Sequence, residues 1–133
     1  MNKSIVFLLS GLLTLGVAAC DGARTSSQAP SSTQETPGAM DRQDATETQG
    51  DATSEVRRSQ ANSDIRAREQ RNNAVNNGSA QDRDDDDLQS QVRSKLEVNL
   101  PASALVVDAE DGVVTVSGTV PTQEQYDKIA TLT

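Results

Sequence analysis

Apolar positions are spread unevenly along the chain, and their spacing changes character twice. Residues 5–15, "IVFLLSGLLTL", form a nearly continuous apolar run behind Lys3, and small residues carry it on to Cys20. From Asp21 to about Ala80 the aliphatic side chains other than Ala reduce to Met40, Val56, Ile65 and Val75. Periodicity then begins. Leu88, Val92, Leu96 and Leu100 recur every four residues, one stripe of a helix from about Asp86 to Asn99 that Pro101 brings to an end. In "LVVDAEDGVVTVSGTV", residues 105–120, two β-prone runs flank Asp111-Gly112, a strong hairpin signal. Val114, Val116 and Val120 share one side of the second run, while Val113, Thr115, Ser117 and Thr119 share the other, the alternation of a half-buried antiparallel strand. Gly118 falls on the apolar side, where close approach of the helix backbone is expected. Thr122 with Gln125 reads as a T-x-x-Q capping box, which starts a second helix with Tyr126, Ile129 and Ala130 inward. The pattern predicts a small α+β module in the order α-β-β-α.

The long polar stretch before it cannot bury enough apolar area to offset its ordering entropy, so residues 20–83 are expected to be a disordered tether. A flexible coil of about 60 residues has an r.m.s. span of roughly 40 Å. Within it, Arg57, Arg58, Arg66, Arg68 and Arg71 form a basic island in an otherwise acidic chain. Two readings stand: a contact for anionic lipid headgroups or an acidic partner, the chain's own C-terminal module included, or a solvated, partly helical linker. Val56, Ile65 and Val75 share no helical face, which favours the linker. The run "DRDDDD", Asp82 to Asp87, lacks the spacing, the glycine and the closing glutamate of an EF-hand loop. It reads instead as the acidic start of the first helix, where carboxylates favour the dipole and supply caps.

Composition narrows the chemistry. The 133 residues contain no His, no Trp and one Cys, which leaves no Cys/His metal site, no Ser-His-Asp or Cys-His apparatus and no internal disulfide. A net charge of −8 argues against nucleic acid as a partner. No enzyme activity and no cofactor is expected.

The layout of residues 1–19, a basic start, a short apolar middle and a small-residue exit, is that of a secretory signal peptide, and it is short of the roughly 20 residues a spanning helix needs. Its exit, "VAAC", resembles the lipobox of bacterial lipoproteins. That resemblance implies lipidation of Cys20, cleavage before it, and attachment to a membrane facing the periplasm. Asp21 is similar to an inner-membrane retention signal, although inner and outer membrane both stay open. The segment "DDLQSQVRSKLE…LVVDAEDGVVTVSGTVPTQEQYDKIATL" resembles a BON domain over residues 84–133, with Gly112 and Gly118 at the family's two glycine positions. The resemblance implies an α-β-β-α-β fold, no catalytic residues, and attachment to phospholipid surfaces in support of envelope integrity under stress. The alternative is an interaction or assembly factor that pairs through its sheet with another envelope protein. Because the family continues to a further strand, the sequence is expected to be a fragment, or a module with an open sheet edge.

Overall fold

A computed structural model describes residues 22–133. The elements are β1 (Ala23–Arg24), α1 (Arg42–Thr53), α2 (Glu55–Asn76), α3 (Asp85–Asn99), β2 (Ala104–Glu110), β3 (Val113–Thr119) and α4 (Gln123–Leu132), an α+β fold. The signal-peptide segment, Cys20 and Asp21 lie outside the described residues.

The C-terminal half forms as its pattern predicts. Asp84 caps α3 by accepting from the Asp86 N–H at 3.0 Å, and Asp85, Asp86 and Asp87 occupy the first turn, at the positive end of the helix dipole. Asp111 and Gly112 both take positive φ, 51° and 76°, the requirement of a two-residue type I′ turn, and this sets the register Glu110↔Val113 through Ala104↔Thr119. Val92, Leu96, Leu100, Leu105 and Val107 make the buried core, flanked by Leu88, Val114, Val116, Val120, Ile129 and Leu132. The stripe of α3 thus packs on the face of β2 and β3 that alternation selected.

Four features differ from the sequence-based expectation. Residues 42–76 are not a disordered tether: they form α1 and α2, turning at Ser54, which ends one helix and caps the next by accepting from the Arg57 N–H at 3.3 Å. The composition argument remains correct in one respect, since Val56 and Val75 stay exposed; α2 packs with polar residues instead. Gly118 meets the neighbouring strand, not a helix. At φ 136°, a Cβ there would run into the Ala104 carbonyl oxygen and lie 2.9 Å from Leu105 Cα. The capping box is half formed: Thr122 Oγ1 accepts from the Gln125 N–H at 3.2 Å, while the Gln125 side chain reaches the Pro101 carbonyl. The inward face of α4 consists of Gln125, Ile129 and Leu132, whereas Tyr126 and Ala130, one position round the helix, point outward.

The sheet order is β1-β2-β3, antiparallel throughout. The two-residue β1 covers the edge of β2 opposite β3, pairing Ala23 with Val107 and Arg24 with Val106. Thr25, 4% exposed, staples this arm in place. Its N–H donates to the Leu105 carbonyl at 2.8 Å, and its hydroxyl accepts from the Leu105 N–H at 2.9 Å and donates to the Ser103 carbonyl at 3.1 Å. Among the described residues, β3 has a strand partner on one side only.

Candidate functional site

The basic island lies against the outer face of α3. Arg57, Ala61, Asp64, Arg68 and Arg71 follow one another at alternating spacings of four and three, which places them along a single stripe of α2. Opposite runs a second stripe of α3: Asp87, Ser90, Gln91, Ser94 and Glu97. Contacts join them along their length. Arg57 Nε binds Glu97, whose other oxygen takes Arg93 Nη1 at 2.9 Å. Asp64 accepts from the Ser90 and Ser94 hydroxyls, each at 2.9 Å, and from Arg68 Nε at 3.1 Å. Asp87 receives both Arg68 and Arg71 Nη1, the latter at 2.8 Å, and Gln91 donates to Glu69 at 3.1 Å.

These partners set the electrostatics. Burial pushes the Asp64 carboxyl up, but the bonds from Ser94, Ser90 and Arg68, with the Arg68 charge, outweigh it and hold the group below its ordinary value. The bond to Asp87 chiefly raises Arg68. Glu97 is 2% exposed, a buried carboxylate between two guanidinium groups. Of the five arginines singled out in the sequence, Arg57, Arg68 and Arg71 therefore face the chain's own acidic helix, and Arg58 and Arg66 are exposed.

The aspartate run has specific local work. Besides the cap at Asp84 and the pair at Asp87, the Asp85 carboxylate accepts from the N–H groups of Asp111 and Gly112, at 2.9 and 2.8 Å, which ties the start of α3 to the tip of the hairpin. This explains the arrangement around Gly112, whose open left-handed backbone turns its N–H toward α3. The sequence reading missed Asp85, Asp87 and Glu97 as positioned residues. For Asp87 and Glu97 the available signal was the three-to-four spacing of the stripe they share with Ser90, Gln91 and Ser94, but it is polar and so invisible to a hydropathy pattern.

A groove of about 260 Å³ runs between β3 and α4, lined by Leu105, Val116, Gly118, Val120, Tyr126 and Ile129 among others. Tyr126, 62% exposed, stands on its rim, an amphipathic ring of the kind enriched where one end meets apolar matter and the other water.

Residues 84–133 match the BON domain family, over the segment formed by α3, β2, β3 and α4. No curated protein and no solved structure shows significant similarity to the chain.

Proposed function

We propose that this BON-domain protein is a lipid-anchored envelope protein that works at phospholipid or other envelope surfaces and supports envelope integrity under stress. The BON match over residues 84–133 carries the reading, because the family is a non-catalytic binding domain associated with envelope and phospholipid surfaces. Acyl chains on Cys20 would hold it on the periplasmic side of a membrane, with Asp21 favouring the inner one. The physical logic supports an anchor. The BON segment holds ten Asp and Glu against three Lys and Arg. A module of that charge is repelled by anionic headgroups, whereas each buried methylene of an acyl chain contributes about 0.8 kcal/mol regardless of charge. The groove rimmed by Tyr126 then needs only weak surface affinity.

An intact-mass spectrum of the protein from its native membrane fraction tests the anchor: a chain beginning at Cys20 with added acyl mass is expected, and an unmodified Cys20 overturns it. A second reading, an assembly factor that pairs through its sheet, draws on β3. Its seven residues, Val113–Thr119, carry neither charge nor proline, and such an edge lacks the usual protection against strand addition. Co-purification of a stoichiometric envelope protein, lost on substituting Thr115→Lys with Ser117→Lys, would favour that reading.

A further inference from the structure

We propose that the N-terminal arm and the α1–α2 corner form a phosphate-binding site outside the BON domain, built from Arg24, Ser26, Ser27 and Arg57. These four residues and Asp51 line one cavity of about 410 Å³.

The two guanidinium groups come from different elements, and each is positioned by its neighbours. Arg24 lies in β1, opposite Val106, and next to the stapling Thr25, so the arm holds Arg24 and Ser26 on either side of a fixed point. Arg57 sits in the first turn of α2 with Nε on the buried Glu97; among the described residues no hydrogen bond takes its Nη groups. Arg24 is exposed and makes no ion pair with a described residue. The Ser26 hydroxyl is buried without a hydrogen-bond partner. Such a group is rare in a folded protein and has no bond to lose on turning into the cavity. Two planar guanidinium groups and two hydroxyls match the tetrahedral, multi-acceptor shape of a phosphate oxyanion. Among the lining residues Asp51 alone is acidic and opposes it, while Glu97 is already occupied by Arg57 Nε and Arg93, and this fixes the sign of a further test.

The phosphate could belong to a lipid headgroup or to a soluble phosphate. Arg24 is four residues from Cys20, and four extended residues span at most roughly 14 Å. With an acylated Cys20 the cavity would lie at headgroup depth, so the lipid source rests on the anchor proposed above, and the site does not.

The test uses unacylated residues 22–133, the whole described fold, titrated with inorganic phosphate by calorimetry and sedimented with phosphatidylglycerol or phosphatidylcholine vesicles. Phosphate binding is expected, weakened roughly tenfold by Arg24→Gln and about threefold by Ser26→Ala, and strengthened severalfold by Asp51→Asn, which removes a like charge. Ser26→Ala should leave the melting temperature unchanged or slightly raised, since its hydroxyl makes no bond, and this separates lost binding from lost folding. Pelleting with phosphatidylglycerol that falls in Arg24→Gln assigns a lipid source; phosphate binding without pelleting assigns a soluble one. Absence of phosphate binding at millimolar concentration, or binding indifferent to Arg24→Gln and Ser26→Ala, overturns the proposal. If Cys20 is unmodified while phosphate binds, the anchor fails and the site stands.

Discussion

Gly112 and Gly118, the two glycines of the β2–β3 hairpin, hold their positions for different reasons, and substituting each by alanine should separate them. At Gly112 the backbone is left-handed, φ 76°, but an added Cβ meets nothing within 4 Å. Only the left-handed penalty applies, about 1–2 kcal/mol, and asparagine, which tolerates that region, should recover most of it. Gly118 combines φ 136° with a Cβ position that runs into the backbone of β2, at the Ala104 carbonyl and 2.9 Å from Leu105 Cα. Backbone cannot swing aside as a side chain does. Strain of about 1–3 kcal/mol is joined by the loss of flanking ladder bonds between β2 and β3, each worth about 1 kcal/mol net. Gly118→Ala should therefore cost at least about 3 kcal/mol, a large part of what a small fold possesses. Urea unfolding of residues 22–133, followed by far-UV circular dichroism, gives both values on one scale. A Gly118→Ala loss within about 1 kcal/mol of that for Gly112→Ala would refute the close-approach argument.

Arg57→Ala strands the buried Glu97 with Arg93 alone and should cost about 2–3 kcal/mol in the same assay, against less than about 0.5 for the exposed Arg58→Ala. Asp64 is held below its ordinary carboxylate value of 3.8, so the stability it contributes is complete above that pH and is lost as the pH falls through its lower folded value. Acidification from about pH 4 downward should accordingly raise amide exchange in α2 more than in β3 when followed by hydrogen exchange, and Asp64→Asn should flatten that difference. Asp85→Ala removes both bonds to the hairpin tip and should shift the Asp111 and Gly112 amide resonances while costing only about 1–2 kcal/mol, because the site is exposed.

Legibility in the sequence followed the kind of interaction involved. The stripe Leu88, Val92, Leu96 and Leu100, the Asp111-Gly112 turn and the valine alternation of β3 were readable because apolar burial and left-handed turns leave local, periodic marks. The second stripe of α3 is as periodic, yet Asp87, Gln91, Ser94 and Glu97 look like a solvated face until their partners on α2 are known. Burial alone among polar residues distinguishes them, and burial is a property of the fold. The β1 pairing left still less: two residues show no alternation, and the staple through Thr25 joins positions 78 to 80 residues apart. Tyr126 and Ile129 are three apart and fit one helical face on spacing alone, but the phase set by Gln125, Ile129 and Leu132 turns Tyr126 to the rim.

These long-range contacts imply that the boundary of the BON match is not a folding boundary. Val106 is fully buried on the sheet face opposite Leu105 and Val107, with Gly22 so close that a Cβ there would strike its side chain. Leu105 sends its N–H to Thr25, and Glu97 takes its bond from Arg57. Cutting the chain at residue 84 would expose the Val106 side chain, leave the Leu105 amide to water, and halve the compensation of a buried carboxylate. The apolar term alone is about 1.5–3 kcal/mol for a fully uncovered valine-sized side chain, and the lost bonds add about 1 kcal/mol each. Residues 84–133 in isolation should thus melt at a markedly lower temperature than residues 22–133 and unfold less cooperatively, with added salt narrowing the gap because it weakens the α2–α3 pairs only in the longer chain. Equal melting temperatures for the two would show that the arm and α2 merely rest on a self-sufficient module, and the attribution of stability to these contacts would have to be withdrawn.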